Sequence, residues 1–282
     1  LQALTRWGVG AGAARLVAGH YEVHEALESE LAACKGTEAA LVFATGYAAN
    51  VGTLSALAGP RDTVFADALV HASLVDGCRL SGARLRFYRH RDLDHLETLL
   101  RQSRVRGRRL IVTDGVFSMD GDLAPLPELV DIAERWDALL VVDDAHGTGV
   151  VGPGGRGTAH HFGLEGRIPV QVGTLSKALG AQGGFVAGSR SLIELLWHRA
   201  RAWVYSTALA PALAAAALKA LRLAREEDWR RQALRRHARR LRVGLAARGY
   251  RVLGEEGAPM TAVMVGDAGA AAELAARLEE GG

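Results

Sequence analysis

The sequence predicts an α/β fold, a mainly parallel sheet with helices on both faces, and three observations predict it. Short apolar runs of strand length alternate with helix-like stretches from residue 40 to residue 187, the pattern of a parallel sheet built with helical crossovers. Residues able to do chemistry fall at the ends of those runs, and open α/β sheets bind ligands beyond the carboxyl ends of their strands. From Pro211 onward the texture changes to long Ala-rich and Arg-rich helices, which marks the start of a second unit.

In chain order, residues 40–43 form a short apolar run and 48–58 a helix. Residues 63–66 are strand-like and 73–80 helical; 110–113 is a strand, and 126–136 a helix begun near prolines. Residues 139–142 make a buried strand ending on Asp143 and Asp144, and 170–172 and 184–187 are further strands. Beyond Pro211, residues 212–225 predict an Ala-rich helix. Leu234, Ala238, Leu241 and Leu245 share one face of the next helix. Two strand-like runs, 251–253 and 262–265, and a helix at 270–278 give a smaller α+β region. The boundary is expected between residues 225 and 245. Placed at 230, it separates a large domain, 1–230, from the start of a small C-terminal domain, 231–282.

The chain has 282 residues, 49% apolar and 23% charged, the balance of a globular protein with one large domain and part of another. No apolar run approaches the about 20 residues that span a bilayer, and no signal peptide is evident. Cys34 and Cys78 make neither a disulfide framework nor a zinc spacing. The expected address is the cytoplasm. The chain starts on Leu1 and ends in helix-like sequence, so it reads as a piece of a longer protein. The net charge is +3, and of 34 basic side chains only Lys35, Lys177 and Lys219 are lysine. That bias matters because a guanidinium cannot replace an amine that must lose its proton.

Lys177 lies in Thr-Leu-Ser-Lys-Ala-Leu-Gly (174–180), just after a buried strand and between small apolar neighbours. A desolvated lysine there forms imines with carbonyl compounds; the ordinary alternative is a surface lysine at a helix start. Lys35, before Gly36 at a helix end, and Lys219, on the Ala-rich helix, fit that alternative. In Val-Asp-Asp-Ala-His-Gly-Thr-Gly (142–149) a strand delivers Asp143 to the sheet edge. A metal site of Asp143, Asp144 and His146 is the weaker reading. A carboxylate roughly thirty residues before a buried lysine suits a pyridoxal 5′-phosphate (PLP) site, which needs an acid partner for its ring nitrogen. Thr45-Gly46-Tyr47 opens a helix whose free N–H groups suit a phosphate, or is an ordinary strand-to-helix turn.

The remaining candidates have plain readings. The glycine-rich run 153–157 is a loop and matches no nucleotide fingerprint. His20 and His24 are polar residues at a helix start rather than a metal pair. His160 and His161 are expected in a solvated loop. His71 precedes a helix and serves as a cap neighbour or a site residue; Ser118 and Asp120 are turn residues unless the site takes them. The arginines at 230, 231, 235, 236, 239, 240 and 242 keep helical spacing with few aromatics between them, the pattern of a solvated helix face rather than a nucleic-acid stripe.

Taken in order, these motifs resemble the α-oxoamine synthases, a branch of the fold-type I PLP-dependent transferases. The shared set is a Gly-rich start, His-x-x-Leu-Glu (24–28), Thr-Gly-Tyr-Ala-Ala-Asn (45–50), Asp-x-x-x-His-Ala-Ser (67–73), Thr-Asp-Gly-Val-Phe-Ser-Met-Asp-Gly (113–121), residues 142–149 and Thr-Leu-Ser-Lys-Ala (174–178). It spans essentially the whole chain. The resemblance implies an acyltransferase that condenses an amino acid with an acyl-CoA and loses CO2. It implies that Lys177 carries PLP as a Schiff base and moves protons at Cα, that Asp143 pairs with the pyridinium nitrogen, and that His146 bonds the phenolic oxygen with Ser118 close by. His71 stacks on the ring; Gly46, Tyr47 and Thr174 hold the phosphate; Ser206 and Thr207 reach the phosphate of a neighbouring subunit, so a homodimer is implied. Gly-Tyr-Ala-Ala-Asn and Ala-His-Gly-Thr-Gly lean toward the biotin-pathway member, with L-alanine and pimeloyl-CoA. The alternatives are a sister ligase taking glycine and acetyl-CoA, another fold-type I enzyme such as an aminotransferase, and an inactive PLP-binding relative. The resemblance also places the substrate-carboxylate arginine beyond Gly282 and some acyl-CoA contacts before Leu1.

Overall fold

The computed structural model describes residues 1–281. Seven strands form one sheet: β1 (Ala39–Phe43), β2 (Thr63–Asp67), β3 (Arg84–Tyr88), β4 (Arg109–Asp114), β5 (Ala138–Asp143), β6 (Val170–Thr174) and β7 (Gly184–Gly188). Their order is β1-β7-β6-β5-β4-β2-β3. All neighbours are parallel except β7, which runs antiparallel to both β1 and β6. The predicted strands are all present, with ends shifted by a residue or two. The edge strand β3 was not legible, because Arg84, Leu85, Arg86 and Phe87 alternate charge with apolar residues instead of forming an apolar run.

Among the described residues, twelve α-helices pack on or beyond this sheet: α1 (Gln2–Trp7), α2 (Glu22–Lys35), α3 (Gly46–Leu57), α4 (Ala72–Ser81), α5 (Leu93–Gln102), α6 (Leu126–Arg135), α7 (Thr158–His161), α8 (Arg190–Arg199), α9 (Arg201–Val204), α10 (Pro211–Glu226), α11 (Asp228–Ala246) and α12 (Ala268–Glu280). The period of two along each strand decides which layer each side chain joins. Val64, Val112, Val141 and Val172 point to the face covered by Leu54 of α3, Leu74 of α4 and Leu196 of α8. Phe65, Ile111, Leu140 and Val142 point to the other face, under Leu96 of α5 and Leu129 of α6. Farther along that face, Val42, Phe185 and Ala187 meet Leu27 of α2 and Leu221 of α10. Each such side chain contributes about 1.5–3 kcal/mol by leaving water, against about 1 kcal/mol net for a typical hydrogen bond. Apolar burial on both faces therefore holds the sheet, and its strand ends are left free to carry polar groups.

Beyond α10, β8 (Arg251–Leu253) and β9 (Ala262–Met264) pair antiparallel as a separate two-stranded sheet. Ala238 is buried on α11 as its helical pattern predicts, whereas Leu241 is 52% exposed. α11 begins at Asp228, so a boundary at residue 230 falls inside its first turn. One arginine departs from the expected solvated face: Arg231 is buried, bonded to Asp228 and to the carbonyl of Ala224. Among the described residues no helix is long and apolar enough to cross a membrane.

Candidate active site

A cavity of about 250 Å³ opens where β1, β2, β4, β5 and β6 end. Its first wall is the start of α3. Thr45 caps the helix, its Oγ1 accepting from the Ala48 N–H at 3.0 Å, and the other first-turn N–H groups stay free as helix geometry requires. Gly46 is packed so closely that an added Cβ would lie 3.2 Å from Oγ1 of Thr174. Thr174 lies 2.7 Å from the Ser176 hydroxyl and donates to the carbonyl of Gly183 at 3.0 Å. Free N–H groups and two hydroxyls thus converge at one end of the cavity, a donor set that suits a phosphate. The phenol of Tyr47 is exposed and donates to Asp76 at 2.9 Å.

The floor is acidic. Asp114 and Asp143 stand opposite each other in the β4–β5 register and are 4% and 6% exposed. Asn50 donates to Oδ2 of Asp143 at 2.6 Å and to Ser73 at 2.8 Å, and the Ala145 N–H donates to Oδ1 of Asp143 at 2.9 Å. Burial pushes the Asp143 carboxyl up, and the bonds from Asn50 and Ala145 oppose that rise. Asp114 is pushed well above the usual carboxylate range by burial and then by the charge of Asp143. Two buried carboxyls this close do not both ionise readily. Asp143, with two N–H donors against one for Asp114, is the one better equipped to be the anion. Among the described residues Asp143 has no ion-pair partner, and the Asn50 Oδ1 beside it is buried without a hydrogen bond. A cationic nitrogen held in the cavity would complete this set, and the protonated ring of PLP supplies one.

Lys177 and His146 close the far side, Nζ lying 2.9 Å from Nε2. Burial, then the charge of Lys177, lowers the His146 imidazole to about 4. The ring is neutral at neutral pH and its Nε2 can accept from the lysine. His71 is itself the cap of α4: its Nδ1 accepts from the Ser73 N–H at 3.3 Å and lies 2.7 Å from the Ser73 hydroxyl. Its main-chain N–H is bonded to Asp114 at 3.2 Å.

Gly46, Tyr47, His71, Asp143, His146, Thr174 and Lys177 therefore line one cavity, as their positions in the sequence predict. Ser118 does not line it; it is half-buried in the turn after β4. Ser206 and Thr207, which the resemblance assigns to the phosphate of a neighbouring subunit, lie off this chain's own cavity, with Thr207 bridged to Ala14. Asp114, at the carboxyl end of β4 where the strand pattern places ligands, lines the cavity too, and so do Asn50 and Ser73, which were not singled out as site residues. Asn50 carried a usable signal, since it stands one helical turn beyond Gly46 and so on the same face.

Several expectations need correction. Lys177 is exposed rather than buried, because the turn between β6 and β7 holds it at the cavity mouth. Lys35, read as a surface lysine, is completely buried in an ion pair with Asp144. His160, expected in a solvated loop, lies in α7 and is 4% exposed, and its burial lowers its pKa; His161 is exposed. His24 does sit at the start of α2, but fully buried, with Nε2 2.7 Å from the carbonyl of Leu209. No cluster suited to a metal occurs among the described residues.

The family model for class I and II aminotransferases matches residues 1–281. A Methylococcus capsulatus relative named 8-amino-7-oxononanoate synthase is 57% identical over 98% of this chain and 71% of its own length. Another of that name, from Nitrosococcus oceani, is 52% identical over 99% of this chain and 74% of its own. Among solved structures, a serine palmitoyltransferase from S. paucimobilis with a PLP–myriocin aldimine superposes with a TM-score of 0.93 at 37% identity, covering 96% of this chain and 70% of the other. The 8-amino-7-oxononanoate synthase of Francisella tularensis gives a TM-score of 0.84 at 29% identity, covering 99% and 79%. This chain belongs to the class I and II aminotransferase family of fold-type I PLP-dependent enzymes, and within it to the α-oxoamine synthases.

Proposed function

We propose that this chain condenses L-alanine with pimeloyl-CoA, giving 8-amino-7-oxononanoate, CoA and CO2, a step of biotin synthesis. The 57% identity to a relative of that name over nearly the whole chain supports the choice within the family. The observation that carries the chemistry is one cavity holding both an amine, Lys177, and a buried carboxylate, Asp143, that has hydrogen-bond donors but no cation.

Lys177 would hold the PLP aldehyde carbon, Asp143 the ring nitrogen, and Gly46, Tyr47 and Thr174 the phosphate. His146 would hold the phenolic oxygen, and His71 the ring face. When bound, PLP supplies an electron sink for the pair left behind when the amino-acid Cα loses its proton. Lys177 accepts that proton and later returns one, and its place beside neutral His146 leaves its amine aimed into the cavity. As an anion, Asp143 would keep a proton on the ring nitrogen. Asn50 orients Asp143 by fixing one of its oxygens. Asp114 holds the backbone of His71, and burial and the charge of Asp143 push its own carboxyl toward the neutral form.

Ser206 and Thr207 would complete the phosphate site of a second copy, which makes the working form a homodimer; sedimentation of the purified protein tests this. The cytoplasm, which supplies acyl-CoA thioesters, is the proposed address of the reaction. The deciding experiment measures CoA release by the PLP-loaded protein with L-alanine plus pimeloyl-CoA and, separately, glycine plus acetyl-CoA. Release with the first pair alone is the expected result. Release with the second pair alone, or with neither, overturns the proposal.

A further inference from the structure

The last residue of β5 and the residue after it send their carboxylates in opposite directions, as strand geometry dictates. Asp143 faces the cavity; Asp144 faces the far side, where it enters a closed polar cage. Lys35, the last residue of α2, lies with Nζ 2.6 Å from Oδ2 of Asp144 and donates to the carbonyl of Arg156 at 3.0 Å. The hydroxyl and N–H of Thr158 donate to Oδ1 of Asp144 at 2.8 and 3.2 Å. The two ionic side chains are 0% and 2% exposed. Three glycines pack around them. A Cβ on Gly147 or Gly157 would overlap the carboxylate, and one on Gly115 would approach it to 3.0 Å. A Cβ on Gly157 would also lie 2.5 Å from Nζ of Lys35. A guanidinium is broader than the ammonium this cage holds, which suits a lysine at this position.

The cage is built into the turn that shapes the cavity. The carbonyl of Asp144 accepts from the N–H groups of Gly147 and Thr148 at 3.1 and 2.9 Å, and His146 is carried inside that turn. The Asp144 N–H donates to the carbonyl of Val172 on β6 at 2.7 Å. Displacing Asp144 therefore displaces His146 and, one residue back, Asp143.

We infer that Lys35 is a positioning residue: through Asp144 it fixes the 143–148 turn so that Asp143 and His146 present the geometry the cavity requires. The inference rests on the PLP reading for its consequence in binding, but its geometry is independent of any ligand.

The test uses Lys35→Met and the neutral-cage double variant Lys35→Met with Asp144→Asn, which avoids stranding a buried carboxylate should the single variant fail to fold. Two quantities are read: the His146 titration by NMR in protein freed of PLP, and the dissociation constant for PLP itself. The expected result is a His146 titration moved up from about 4 toward its ordinary 6.5, with PLP bound at least tenfold more weakly. The double variant is expected to melt close to the wild type while keeping both defects. Wild-type His146 titration and PLP affinity in a folded variant, whatever its melting temperature, overturns the inference. If wild-type protein itself binds no PLP, the functional proposal fails, and the His146 titration still decides the role of Lys35.

Discussion

The two faces of the sheet at the end of β5 treat a buried carboxylate in opposite ways. Asp144 is closed by the protein's own groups, with a lysine ammonium at 2.6 Å and Thr158 satisfying its other oxygen. Asp143, one residue earlier, has N–H donors from Asn50 and Ala145 and no cation. A charge that the chain neutralises itself serves the fold, whereas one left open to a cavity serves a ligand. The lysines divide the same way. Lys35 is sealed in, while Lys177 stands exposed at the mouth with one side-chain partner.

The strongest way to break the comparison is Lys177→Ala. Turnover is expected to fall by roughly 10²–10⁴ or more, and borohydride should no longer trap PLP on the chain. A reducible adduct at wild-type yield would place the reactive amine elsewhere. Asp143→Asn comes next. PLP should still bind, but deuterium exchange at Cα of L-alanine should slow by roughly 10²–10³ with the loss of one preorganised charge; an unchanged exchange rate would remove Asp143 from that role.

On the closed side, Lys35→Met is expected to cost about 3–5 kcal/mol in urea unfolding, because it strands the Asp144 charge in the interior. Most of that should return when Asp144→Asn is added, and a single variant as stable as the wild type would mean water reaches the cage.

The smallest effect concerns a polar site partway between these extremes. His90 lies 2.9 Å from both Asp67 and Asp122, and Arg91 joins Asp122 to Glu255 beyond β8. Burial lowers the His90 pKa, but the bonds to Asp67 and Asp122 outweigh it, so the folded value lies above the ordinary 6.5. A raised folded value means that the stabilisation is complete below pH 6.5 and is lost as pH rises through the higher folded value. With 23% of the side chain exposed, the loss should stay under about 1 kcal/mol. Melting curves across that range should show the decline in the wild type and not in His90→Gln.

The strand-and-helix alternation was legible because apolar runs cannot be solvated, so Leu139, Leu140, Val141 and Val142 announce a covered strand whatever surrounds them. The edge strand β3 was not, because Arg84 and Phe87 face water and only Tyr88 is buried. The motif residues Asp143, His146 and Lys177 could be placed at strand ends from spacing alone, and the cavity brings them together. Ser118 was assigned by resemblance, and it does not line the cavity.

By itself the sequence determined the fold class, the strand ends and the type of chemistry, because periodicity and local turn residues act over a few positions. Tertiary structure alone decided which lysine is buried. The burial of Lys35 depends on Asp144, Arg156 and Thr158, more than a hundred residues away in the chain, and on glycines that make room for the charge. Nothing within the helix that carries Lys35 distinguishes it from a solvated lysine. The desolvation of a charge is set by everything packed around it, and that is a property of the folded chain.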